Sequence, residues 1–174
     1  MKTNILLTIF LFAAISVSAQ ADLLIKHSGD TIKGSVVRLT EYTVIFKYAG
    51  EDAENTLSKY AIGKIVYGKS GRVEKVSDKI VIHSENDWEK VIILEDKSYT
   101  AGLTKGGEIR GQTAFINMQT GNTGDKKAEK KLKMAAAGLG CPFVFLTSDK
   151  STVGHNSNDL GGTQNIKTGV AYKY

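Results

Sequence analysis

The feature that most constrains this fold is the stretch GDKKAEKKLKMAAAGLGCPFVFLT at residues 124–147. At about 100° per residue, its small and apolar side chains fall on one stripe of a helix, the pattern of a side that faces a core. The stripe consists of Ala128, Leu132, Ala135, Ala136 and Leu139. Pro142 has no backbone donor and restricts the residue before it, so the helix must end by Cys141. The sequence therefore predicts a helix over about 125–139 and a buried apolar strand directly after it.

The N-terminus has the pattern of a secretory signal peptide. One early lysine precedes an apolar run over residues 5–15, and small residues follow at 17–19. A membrane anchor is the alternative, but the run is shorter than the roughly 20 apolar residues that a spanning helix needs. No cysteine follows the run, which argues against a lipid anchor. We expect residues 1–19 to be removed, and a periplasmic or secreted protein without a stable membrane anchor.

Charge and cysteine content narrow the choice of partner. The formal net charge is +5, which in a cytosolic protein would suggest nucleic acid. For an exported protein we expect an acidic envelope protein or an anionic envelope component instead, and no nucleic acid. The single cysteine, Cys141, cannot form an internal disulfide, and its position favours a small buried side chain over a reactive thiol.

Residues 22–83 have the pattern of a small β-structure. Leu23 and Ile25 alternate with polar neighbours, and Ser28-Gly29-Asp30 follows as a hairpin signal. We expect about five short antiparallel strands that close into a small curled β-barrel. The segments DLLIKHSGDTIKGSVVRLTEYTVIFKY and AIGKIVYGKSGRVEKV resemble the small SH3-like or Sm-like barrels of exported bacterial proteins. This resemblance implies a fold rather than an activity.

Residues 88–174 predict a second domain, which begins after the polar stretch at 84–87. Its expected elements are a continuous apolar strand within 88–95, a strand near 107–116, the helix, the strand after Pro142, and an edge strand over 164–172. The order β-β-α-β-β predicts an α+β layer with one main helix, so the fold class of the whole chain is mainly β plus α+β. The polar, glycine-rich segment 149–162 predicts a flexible loop.

The second half also resembles a known group of periplasmic domains. The matching residues are Gly107-Glu108, Gly111, the helix stripe and Gly169-Val170-Ala171-Tyr172. They are similar to the small domains that include the Rcs-pathway envelope-stress sensor. The resemblance implies fold and compartment only, because the sensor's paired cysteines and lipid-bearing cysteine have no counterpart in this sequence.

The helix face opposite the stripe supplies the candidate partner-binding residues. It carries Lys126, Lys127, Lys130, Lys131 and Lys133. Trp88 is included as a candidate partner-binding residue, although we expect it to pack between the two halves rather than to recognise a ligand. An ordinary solvated face is the alternative explanation of the same lysines.

No catalytic, cofactor or metal site is predicted. His27, His83 and His155 are isolated in the sequence, whereas a zinc site needs three or four converging donors. The segment from Ser148 to Asp159 contains the residue types of a catalytic triad, but no strained turn that would expose a nucleophile. The glycines form neither a dinucleotide fingerprint nor a P-loop.

Two functions remain open. The first is a non-catalytic envelope protein that acts as an interaction or sensing module through the lysine face or exposed strand edges. The alternative is an exported hydrolase or small-ligand-binding protein with a site between the halves, near Trp88, covered by the 149–162 loop. A junction pocket with two or more converging titratable groups would favour the alternative, and a flat, packed junction would favour the first.

Overall fold

The computed structural model describes residues 20–114, 121–154 and 162–174, which form two sheets and one long helix. The first sheet contains β1 (Asp22–Lys26), β2 (Thr31–Leu39), β3 (Thr43–Tyr48), β4 (Glu54–Ser58), β5 (Ile62–Val66) and β6 (Val73–Lys75). The second contains β7 (Ile92–Leu94), β8 (Thr104–Gln112), β9 (Phe143–Gly154) and β10 (Gly162–Lys173), with helix α1 (Gly121–Gly138) between β8 and β9. The predicted mainly β and α+β class is confirmed.

The first sheet is antiparallel and open. Its strand order is β4-β3-β2-β1-β5-β6, and the two outer strands do not pair with each other, so the prediction of a closed barrel is wrong. The reason lies in the last strand: β6 has three residues, and it pairs with β5 alone. A bulge between Val36 and Arg38 bends β2, and the concave core contains Leu24, Phe46 and Ile65, all at most 1% exposed.

The second sheet has the order β7-β9-β10-β8. The predicted β-β-α-β-β sequence of elements is confirmed, with β7 parallel to β9 and the remaining pairs antiparallel. The last strand was expected at an edge, but it is central, because β10 pairs with β9 on one side and β8 on the other. The edge position on that side belongs to β8.

Helix α1 lies in direct backbone contact with β8. Ala128, Leu132 and Ala136 are fully buried, as the stripe predicted. Gly111 of β8 allows the close approach: a Cβ on this residue would lie 2.0 Å from the carbonyl oxygen of Ala128. Small residues on both elements therefore set the distance between helix and sheet.

The helix begins and ends earlier than predicted. It begins at Gly121 rather than near 125. Gly124 therefore lies within the helix, where it packs closely: a Cβ there would lie 2.4 Å from Asn165 Oδ1. At the other end, Gly140 has φ +66° and donates to Ala137, while Cys141 donates to Ala136, which together form a Schellman motif.

Leu139 is the one residue of the stripe that the structure removes from the core. The helix ends at Gly138, so Leu139 leaves the helical path and is 49% exposed. Ala137 is buried in the core cluster of the second half.

The segment 149–162 is in large part a strand. Residues 149–154 continue β9 and pair with β10 as far as Gly154 and Gly162, so the expected loop is wrong for these residues. Positions 155–161 lie outside the described residues. Because residues 149–154 form cross-strand hydrogen bonds with β10, they cannot be part of a flexible loop that covers a site between the halves.

The two sheets are in contact. The backbone N–H of Ile80 donates to the Tyr174 hydroxyl over 2.8 Å, and the Tyr174 ring lies 4.9 Å from that of His27. Tyr60 of the first half packs on Phe143 of the second, with ring centroids 5.2 Å apart. The division into domains 22–83 and 88–174 stays a prediction. Every helix of the described chain is too short or too polar to span a bilayer.

Candidate functional site

A cavity of about 510 Å³ lies between the first turns of α1 and the 3-10 segment Glu85–Lys90. It is lined by Trp88, Asn122, Thr123, Lys126, Lys127, Glu129 and Lys130. Four of the six residues predicted for partner binding therefore meet in one place. We call this cavity the Trp88 pocket.

Trp88 is held in place by its own segment. Ser84 caps the segment by accepting a hydrogen bond from the N–H of Asn86. Asp87 accepts hydrogen bonds from Lys90 Nζ at 2.7 Å and from the His83 N–H at 2.8 Å, which lower the pKa of Asp87 to about 2. Trp88 itself packs, together with Ile82, against the core cluster that contains Leu132. Its expected place between the two halves stays a prediction.

The lysines of α1 fall into two groups. Lys131 Nζ donates to the carbonyl of Gln112 at 2.9 Å, and Lys133 Nζ lies 3.1 Å from Glu129, so both already have partners within the protein. Within the described chain, Lys126 and Lys127 are exposed and form no ion pair.

The electrostatics of the Trp88 pocket favour an anion. Lys130 Nζ lies 4.7 Å from the centroid of the Trp88 ring, within cation–π range. Glu129 is the one carboxylate among the lining residues, and Lys133 pairs with it. Three ammonium groups around an indole can hold a carboxylate or phosphate while the ring covers its apolar neighbour atoms.

A second, smaller site lies at the junction of the two sheets. It is a crevice of about 200 Å³, lined by Tyr42, Tyr60, Ile93, Leu94, Glu95 and Tyr99. The rings of Tyr42 and Tyr99 stack with centroids 4.7 Å apart. The sequence analysis did not select these residues, because they come from three distant segments that only the fold brings together. We call this site the junction crevice.

Two tyrosines of the junction crevice are strongly held in the neutral form. A hydrogen bond to the Glu41 carboxylate, with the charge of that carboxylate, raises the pKa of Tyr42. Burial and the charge of Glu41 raise the pKa of Tyr60. Both hydroxyls are therefore proton donors over the whole physiological range rather than bases.

A further cavity, of about 690 Å³, lies beside residues 20–22 on the first sheet. Its lining charges are of both signs, and two of them are engaged within the protein. Asp22 accepts from the N–H groups of Val36 and Gly68, and Arg72 pairs with Glu74 at 2.9 Å. This cavity therefore presents no converging set of groups comparable to the other two.

One buried ion cluster was not anticipated from the sequence. Lys167 of β10 is 5% exposed, and its Nζ lies 2.8 Å from Asp125 of α1 and 2.5 Å from Asp149 of β9. Burial lowers the pKa of Lys167, but the two carboxylates outweigh this and raise it above 10.5. The cluster ties the start of α1 to β9 and β10.

The remaining nucleophiles and histidines have structural surroundings. His27 Nε2 lies 2.9 Å from Ser77 Oγ, but the Ser77 hydroxyl donates to the carbonyl of Ile62, so its proton is already engaged. Cys141 is fully buried, and burial raises the pKa of its thiol. Ser148 and Asp149 lie on β9, whereas His155 and Asp159 are outside the described residues. Within the described ranges, no three His, Cys, Asp or Glu side chains converge on a metal position.

Comparison of the chain with protein-family models, curated proteins and solved structures gave no match in any of the three.

Proposed function

We propose that this chain is a non-catalytic, exported envelope protein, periplasmic or secreted, that acts as an interaction or sensing module. The observation that carries the proposal is the convergence of Trp88 with Lys126, Lys127 and Lys130 in one pocket. The partner is an acidic envelope protein or another anionic envelope component. The resemblance of the second half to Rcs-sensor-like periplasmic domains belongs to the same proposal and supports the compartment.

The pocket suits an anionic partner for three reasons. Its lysines are carried by one helix, so binding needs no ordering of the backbone and costs only the conformational entropy of the lysine side chains. Lys126 and Lys127 form no ion pair among the described residues, and the lining carboxylate Glu129 pairs with Lys133. Trp88 offers a large ring and an indole N–H, the features that anchor protein interfaces. Such binding weakens with salt, because the lysines are solvent-exposed.

The test is amine crosslinking in cells, with two variants of equal charge. Lys126→Gln, Lys127→Gln and Lys130→Gln together empty the pocket of its cations. Lys33→Gln, Lys64→Gln and Lys69→Gln remove three exposed lysines from the first half instead. We expect one envelope protein to crosslink to the wild type and the control but not to the pocket variant. A product that survives in the pocket variant contradicts the proposal.

The junction crevice favours a second candidate function, small-ligand binding between the halves. Glu95 and three tyrosines converge there. A junction pocket with two or more titratable groups is the feature that would favour this alternative. Binding suits the crevice better than hydrolysis. Tyr42 and Tyr60 are poor bases near neutral pH, because their raised pKa values keep them neutral. No serine, threonine, cysteine or histidine is among the described residues that line the crevice.

A further inference from the structure

The walls of the junction crevice are fixed by backbone hydrogen bonds. Tyr42 is followed by β3, and its carbonyl accepts from the N–H of Lys59, which precedes Tyr60. Tyr99 lies on the 3-10 segment Lys97–Thr100, which is joined to the first sheet by a hydrogen bond of 2.8 Å from the Ser58 N–H to the Ala101 carbonyl. The rings from both halves therefore meet in a preformed arrangement.

The crevice is negative in a protein that is otherwise basic. Glu95 lines it, and Glu41 lies against the Tyr42 hydroxyl. None of the six described lining residues is basic, whereas the whole chain has a net charge of +5. Aromatic faces attract cations through their quadrupole, and carboxylates at the rim add to this attraction.

We propose that the junction crevice binds an organic ammonium group. The tyrosine rings supply cation–π contacts, Glu95 supplies the countercharge, and Ile93 and Leu94 line its apolar part. About 200 Å³ accommodates a quaternary ammonium headgroup or the end of a lysine side chain, the two sources of this chemistry. The inference specifies the ligand of the second candidate function and is independent of the Trp88 pocket.

The first experiment separates charge from shape. The purified protein is titrated, with NMR detection, with choline, with its uncharged isostere 3,3-dimethyl-1-butanol, and with Nα-acetyl-lysine amide. We expect saturable binding of a charged compound and none of the isostere. Choline as the tighter ligand supports a free methylated ammonium, and acetyl-lysine amide as the tighter ligand supports the side chain of a polypeptide. Equal binding of choline and the isostere, or no saturable binding of any compound, overturns the proposal.

The second experiment locates the site. Glu95→Gln changes an exposed side chain by one charge, so it leaves folding intact, and Tyr99→Leu removes one aromatic wall. We expect each to weaken binding of the cation about tenfold. Tyr48→Leu, which removes a tyrosine outside the crevice, and the triple Lys126, Lys127 and Lys130 variant should bind as the wild type does. Unchanged affinity in Glu95→Gln and Tyr99→Leu would place the ligand elsewhere.

Discussion

Lys167 is the single charged side chain that is buried within the described chain, and its two carboxylate partners come from different elements. Asp125 and Asp149 are themselves 40% and 51% exposed, so water still reaches them when the lysine is gone. Removal of the two carboxylates would therefore leave the lysine charge buried and unpaired. Removal of the lysine would leave the two carboxylates in contact with water. The role of the lysine is to join α1 to the hairpin.

We expect Lys167→Met to lower the free energy of unfolding by about 1–3 kcal/mol, the usual contribution of hydrogen bonds to a charged group. Because the folded protein raises the pKa of Lys167 above its ordinary value, this contribution is present at neutral pH and disappears as the pH rises through the raised pKa. The difference in thermal midpoint between wild type and Lys167→Met should therefore be largest near neutral pH and shrink at alkaline pH, once the lysine of the folded protein deprotonates. Equal thermal midpoints of the two proteins at neutral pH would contradict the assignment.

The sequence could not reveal such residues, although it did reveal their surroundings. Lys167 is one of several polar residues on β10, and nothing local marks it as the one beneath the helix. Tyr60 and Tyr99 likewise have no distinctive sequence pattern. They come together only because two 3-10 segments that are distant in sequence, Lys59–Ala61 and Lys97–Thr100, meet in the fold. Trp88 and Lys130 were both selected, yet only the fold shows that one lies over the other. Sites made by long-range contact leave no local pattern.

At the scale of elements, the helix was predicted well because its information is local. The 3.6-residue period defined the buried face, and Gly140 with Pro142 defined the end. The sheets were predicted less well, since the order of strands depends on pairing between distant segments. The central place of β10 and the open edge of the first sheet both follow from such pairing.

The contact between α1 and β8 allows a matched pair of substitutions. Gly111→Ala would place a Cβ 2.0 Å from the Ala128 carbonyl oxygen and 2.9 Å from Leu132 Cβ, so we expect a loss of about 2–3 kcal/mol in stability. Gly138→Ala has nothing within 4 Å of its new Cβ and should stabilise the helix by about 0.5–1 kcal/mol. Urea denaturation measures both. Equal stability of the two variants would show that helix and strand are not in backbone contact.

At the scale of the whole molecule, the coupling of the two sheets rests in part on Tyr174. Its hydroxyl accepts from Ile80, and its ring contacts His27 of the first half and Phe143 of the second. The protein has one tryptophan, Trp88, which packs against the core cluster beneath α1. Its fluorescence therefore reports chiefly on that core, whereas far-UV circular dichroism reports on both sheets.

We expect Tyr174→Ala to lower stability by about 2 kcal/mol, because a large, partly buried ring is lost at the junction. Transitions followed by Trp88 fluorescence and by circular dichroism should coincide in the wild type and separate in the variant. The matched control, Tyr48→Ala, removes a 40% exposed ring away from the junction. Coincident transitions in Tyr174→Ala would show that the sheets are coupled by other contacts.

The central position of β10 has a consequence for how the chain folds as it is made. The first sheet has all its strands once residue 75 has emerged. The second cannot assemble until residues 162–173 are available, because β8 pairs with no other described strand and β9 otherwise pairs only with the three residues of β7. Between these two moments the apolar side of α1 has no sheet to cover it. The nascent chain then has one complete sheet and one helix with an exposed apolar face, which chaperones or other copies of the chain can bind.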